Sequence, residues 1–180
     1  WVVKPETVLC GFRGSIAHGT HIPSTDPDSI DDIDYMSIVV PKLEHYFGIK
    51  QHQETRETFI DEHDLVEYEL RKYMGLLLKC NPNVLSLLWL PEKHYIFKNE
   101  SGQDLIDHRS IFVSKIAFDS FYGYAYSQIK HAGKIGGRGF RGQKRSELVD
   151  RYGYDTKNAA HCIRLINMGT EFLQTGILNI

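Results

Sequence analysis

The chain has 180 residues, 42% hydrophobic and 24% charged, with a formal net charge of −2. That is the composition of one globular domain, or of one domain with an appendage, able to bury a core without staples. It excludes a disulfide framework and a CxxC zinc site, because Cys10, Cys80 and Cys162 are widely separated and odd in number and read as small buried hydrophobes.

TVLCGF (7–12) reads as a short strand running into a turn at Gly11, Arg13 and Gly14, with one helical turn over 15–19. HIPSTDPDSID is a loop by its Pro, Ser and Asp content, and IDYMSIVVP (33–41) is a β-branched strand ended by Pro41. Further strands are expected near 55–60 and at DLVEYEL (64–70). Arg71 to Cys80 is an amphipathic helix with Met74, Leu77 and Leu78 on one side. Asn81-Pro82 supplies an N-cap and a first-turn proline for a helix through Trp89, and HYIF (94–97) is a short strand. One or two helices occupy 102–131, where Phe118, Tyr122, Ala125 and Ile129 recur at helical spacing. A final helix runs from its N-cap Asp155 to Thr175, with Ile163, Ile166 and Phe172 facing inward. The fold class is α+β: a small mixed sheet with flanking helices over 1–110, then a helical region over 111–180. No apolar run approaches the roughly 20 residues of a bilayer span. WVVKPETVLCGF lacks the basic start and apolar centre of a signal peptide, so no membrane association and a cytoplasmic location are expected.

Charge is unevenly spread. Acidic residues crowd into 26–34 and 54–69, whereas Lys130 to Arg145 (KHAGKIGGRGFRGQKR) is basic, glycine-rich and free of acids. Such a pairing suits a metal site beside a phosphate-binding surface. The sharpest local feature is Asp32-x-Asp34 at the head of an apolar strand. Alternation puts both carboxylates on one face, with Ile33 and Tyr35 opposite and Asp31 turned away. Two carboxylates about 4 Å apart repel by about 4 kcal/mol at an effective dielectric near 20. A divalent cation compensates best, and oxygen-only ligands favour Mg²⁺, Mn²⁺ or Ca²⁺ over zinc. Upstream, Gly14-Ser15 follows a strand and opens a helical turn, where free backbone N–H groups and a hydroxyl can hold phosphate. The spacing is neither a Walker A loop nor a GxGxxG fingerprint.

Taken together, G14-S15-I-A17-H-G19-T20 followed by D32-I-D34 on a hydrophobic strand resembles the polymerase-β-like nucleotidyltransferase superfamily. More narrowly it is similar to the stand-alone bacterial and phage branch, some members of which are linked to RNA repair. DLVEYELRKYMGLLLKCNPNVLSLLW and YGYDTKNAAHCIRLINMGTEFLQTG (152–176) resemble later blocks of that branch. Two departures stand out: the loop between Thr20 and Asp32 is long and acidic, and the family usually continues past the point where this chain ends, which suggests truncation.

The resemblance implies in-line displacement at the α-phosphorus of an NTP, with two Mg²⁺ (or Mn²⁺) ions held by Asp32 and Asp34. A third carboxylate is Asp64, with Glu67 and Glu69 as alternatives. Gly14 and Ser15 would grip the β- and γ-phosphates. Lys157, His161 and Arg164, on one face of the last helix, would contact triphosphate or an acceptor backbone. Tyr152 and Tyr154 suit packing ahead of base stacking, and His18 and His21 are polar loop residues first. Residues 133–145 form a basic Gly-rich loop in which Arg138, Arg141, Lys144 and Arg145 interleave with Phe140, as an RNA-tracking segment would. The expected reaction is transfer of an NMP to an acceptor hydroxyl, foremost an RNA 3′-hydroxyl. The alternatives are a protein or small-molecule hydroxyl, or a nucleotide- or RNA-binding module without turnover.

Overall fold

A five-stranded mixed sheet, in the order β3-β4-β2-β1-β5, organises the first part of the chain. The structure, a computed structural model, describes residues 1–23, 25, 33–49, 51–132 and 143–180. Strands β1 (Thr7–Phe12), β2 (Ile33–Val39), β3 (Thr55–Ile60), β4 (His63–Glu69) and β5 (Tyr95–Lys98) are joined by short helices. These are α1 (Gly14–Ala17) after β1, α2 (Glu44–Phe47) after β2, α3 (Leu70–Leu77) and α4 (Pro82–Leu85) after β4, and α5 (Glu100–Asp107) after β5. The β2–β4 pair is parallel, whereas β1–β2, β1–β5 and β3–β4 are antiparallel. The chain divides into two compact units, Trp1–Val113 with Ile180, and Ser114–Asn179. No helix among the described residues is long and apolar enough to cross a membrane.

In the first unit Leu9, Met36, Ile38 and Val66 are buried on one face of the sheet, and α3 packs on β2 and β4. Tyr73 of α3 is fully buried and donates its hydroxyl hydrogen to the Val84 carbonyl, tying α3 to α4. The side chain of Asn81 accepts from the amides of Asn83 and Val84, which is why the chain starts a new helix there. That helix tightens into a 3-10 turn over Ser86–Trp89 rather than continuing as α-helix. A Cβ on Gly102 would lie 2.1 Å from the Val8 carbonyl oxygen, so α5 rests on β1 backbone to backbone. The three cysteines are free and buried.

The second unit contains α6 (Ala117–Ala132), α7 (Gln143–Tyr152) and α8 (Thr156–Thr175). Asp155 caps α8, accepting from the Asn158 amide, and Gly176 closes it in the left-handed conformation. The inward faces differ from those expected. Phe172 is buried as expected, but Ile163 and Ile166 are exposed, and α8 buries Cys162, Leu165, Met168 and Gly169 instead. On α6, Ala117, Phe121 and Ala125 are buried, while Phe118, Tyr122 and Ile129 face out. The reason is steric: a Cβ on Gly169 would come within 2.8 Å of Phe121 Cβ, so the helices cross where their side chains are small. On α3, similarly, Leu78 is exposed, and the inner face is Tyr73 and Leu77. The basic segment was expected to be loop through 145, but Gln143 already begins α7, a helix that the charged, weakly periodic sequence hides.

Candidate active site

The site begins where β1 ends. Arg13, in extended conformation, gives its amide to the Asp34 carbonyl (2.9 Å) and leads into Gly14, whose φ of 61° lies in the left-handed region. A Cβ on Gly14 would stand 2.1 Å from Asp34 Oδ2, so glycine is required here twice, for the turn and for the close approach of the carboxylate. The first amides of α1 have no intrahelical acceptor. Ser15 Oγ lies 3.3 Å from His21 Nδ1, which draws the loop after α1 back over the turn.

Asp34 and Asp64 occupy the heads of adjacent strands. β2 and β4 run parallel with Asp34 opposite Asp64 in register, so both side chains belong to the same face of the sheet. Arg13 Nη2 bridges them, 3.4 Å from Asp34 Oδ1 and 2.8 Å from Asp64 Oδ2. All three side chains keep about a quarter to a third of their surface in solvent (26%, 26% and 30%), so the pair is open to a ligand. The competing carboxylates are committed elsewhere. Glu67 is buried on the opposite face and paired with Lys4 (2.6 Å) and Arg56 (3.7 Å). Glu69 caps α3, accepting from the amides of Arg71 and Lys72 and from the Tyr46 hydroxyl.

Asp32, Arg138 and Arg141 lie outside the described residues, and Lys144 and Arg145 fall in the first turn of α7. Tyr152 and Tyr154 are exposed rather than packed in a core. In α8, Lys157 is exposed, and Arg164 hydrogen-bonds the Nδ1 of His161, whose ring also meets Tyr124 edge-on. Burial, then the charges of Arg164 and Lys157, push the His161 imidazole down to about 4, so it is neutral at pH 7. Burial also lowers Arg164 from its usual value, against the opposing influence of Tyr124.

Comparison with known families decides what this arrangement belongs to. The model of the RNA repair pathway DNA polymerase beta family matches residues 6–177. The chain belongs to that family. The match spans the GS turn, both described carboxylates and α8. No curated protein matches. Among solved structures, the chain is similar to a nucleotidyltransferase-like protein from Exiguobacterium sibiricum 255-15, at 11% identity and a TM-score of 0.38 over 99% of this chain. It spans 55% of the length of that protein.

In this member of the RNA repair pathway DNA polymerase beta family, the donor set suits a hard divalent cation. Two carboxylates in register, one of them against a glycine with no side chain, offer oxygen ligands. Among the described residues no group of three or more His, Cys, Asp or Glu is placed to hold a metal. The residue that sequence reasoning missed is Arg13. A guanidinium between the two carboxylates offsets their repulsion, and its Nε is buried without a hydrogen-bond partner among the described residues. The signal was available: a basic residue immediately ahead of Gly14-Ser15, at the end of a strand beside the acidic one.

Proposed function

We propose that the protein transfers a nucleoside monophosphate from an NTP to the 3′-hydroxyl of RNA. The observation that carries this reading is the in-register pair Asp34 and Asp64 against the Gly14 turn. The RNA acceptor is supported by the description of the family to which the chain belongs. Asp34 and Asp64, with Asp32, would hold two Mg²⁺ (or Mn²⁺) ions, which supply charge stabilisation at the phosphate and a lowered pKa for the acceptor hydroxyl. The α1 amides and the Ser15 hydroxyl bind the β- and γ-phosphates and orient the α-phosphorus for in-line attack. The acceptor oxygen bonds to that phosphorus as its bond to the pyrophosphate oxygen breaks, and the acceptor proton leaves to water. Arg13 bridges both carboxylates between turnovers. The basic residues Arg138, Arg141, Lys144 and Arg145 serve the RNA backbone, as do Lys157 and Arg164, and neutral His161 orients the Arg164 guanidinium.

The test is incubation with each α-labelled NTP, Mg²⁺ or Mn²⁺, and total RNA, beside an Asp34→Asn control. Label entering RNA with wild type alone supports the reading. Label entering protein instead moves the acceptor to a side-chain hydroxyl, and no label with measurable NTP binding leaves a binding module without turnover.

A further inference from the structure

The C-terminal ends of the same strands carry a second, separate recess. A cavity of about 550 Å³ lies between the outer face of α3 and the segment that follows β2. At about 3.3 Å per residue, Pro41 on its wall is on the order of 20 Å along the chain from Asp34. One wall presents Arg71, Lys72 and Gly75 of α3 and Lys79 just beyond it, and the facing wall presents His45, Tyr46 and His52. Its two carboxylates, Glu54 and Glu69, are already engaged. Glu54 pairs with Lys72 at 3.1 Å, and Glu69 is held by two amides and the Tyr46 hydroxyl. The helix amides are thus used by Glu69, whose carboxylate also feels the Arg71 charge.

Arg71 is the telling residue. Its guanidinium carbon lies over the Tyr46 ring, 4.3 Å from the centroid, and it forms no ion pair within 4 Å among the described residues. A guanidinium fixed by stacking, with its N–H edge uncommitted, is a preorganised fork for a phosphate. His45 Nδ1 on the opposite wall is buried, with no hydrogen-bond partner among the described residues. Nothing lies within 4 Å of where a Cβ of Gly75 would stand, so the wall is open at that point. The volume falls in the range of small-molecule sites, roughly 300–1,000 Å³, and exceeds what a bare phosphate fills.

We infer that this recess binds a phosphomonoester of nucleotide size, with Arg71 gripping the phosphate and the imidazole wall facing the organic part. The site is distinct from the carboxylate pair and stands whether or not the protein proves to be a transferase.

The test is calorimetric titration of the whole chain with AMP, adenosine and inorganic phosphate in EDTA, a condition under which the carboxylate end repels phosphate. AMP should bind, with adenosine and inorganic phosphate each at least tenfold weaker. Arg71→Gln should weaken AMP by about tenfold, the value of one charge-assisted hydrogen-bond pair. Gly75→Met, which puts a side chain into the recess, should weaken binding, with unchanged helical circular dichroism, since methionine is the better helix former. Asp34→Asn should bind AMP as wild type does. No AMP binding at millimolar concentration overturns the inference. So does binding that neither Arg71→Gln nor Gly75→Met weakens, and so does binding lost in Asp34→Asn alone, which would assign it to the carboxylate end.

Discussion

The two ends of strands β2 and β4 treat acidic residues in opposite ways. At the strand heads, Arg13 reaches both Asp34 and Asp64 through its side chain. At the strand tails, Glu69 is fixed by two backbone amides and a tyrosine hydroxyl. A carboxylate held by the backbone is structural, because its partners cannot leave. One held by a mobile side chain can exchange that partner for a ligand. The same sheet thus yields an exchangeable negative end and a committed one.

Breaking the exchangeable end should have the largest effect. Asp34→Asn or Asp64→Asn is expected to lower nucleotidyl transfer by about 10²–10³-fold or more with little change in thermal stability, measured by label incorporation and calorimetry. If Glu67→Gln did the same while Asp64→Asn did not, the assignment of the third carboxylate would move. Next comes Gly14→Ala, which forces a side chain onto Asp34 at positive φ. It should cost about 1–2 kcal/mol in denaturant unfolding and abolish most activity.

The committed end is tested by Glu69→Gln, expected to cost about 1 kcal/mol as a lost cap, with transfer intact. Burial tends to raise the Glu69 carboxyl, but the Arg71 amide, the Tyr46 hydroxyl, the Lys72 amide and the Arg71 charge together outweigh it and hold it below its usual value. Its stabilisation is therefore present above the unfolded glutamate value, about 4.3, and is lost as pH falls through the lower folded value. A melting series below pH 5 should show wild type converging on Glu69→Gln. The smallest effect is predicted for Arg13→Met. In EDTA it should melt earlier by under about 1 kcal/mol, and added Mg²⁺ should raise its melting point more than that of wild type. Equal shifts in the two proteins would mean that Arg13 and the metal do not compete.

Much of this was legible because local chemistry decides it. The β1 strand, the Gly14 turn, the Asn81 and Asp155 caps and the α+β order all follow from residues acting on near neighbours. What stayed hidden depends on partners distant in sequence. On α6 and α8 two apolar stripes compete at the same helical spacing, and periodicity cannot choose between Ile163–Ile166 and Leu165–Met168. Gly169 and Ala125 choose, because a close crossing needs small residues, and that is a property of the pair. Arg13 escaped notice for the same reason: its role exists when β2 and β4 are side by side. Alternation alone did separate Asp64 from Glu67 and Glu69, since it is set within one strand.

The parallel β2–β4 pairing also has a kinetic side. The β3–β4 hairpin closes across Asp61 and Glu62 and can form within microseconds, whereas β2 must find β4 after a long excursion through α2 and β3. Residues 34 and 64 therefore come together late on the folding path. The carboxylate pair is thus assembled after the hairpin that carries Asp64, and amide exchange in the hairpin should be protected before exchange in β2.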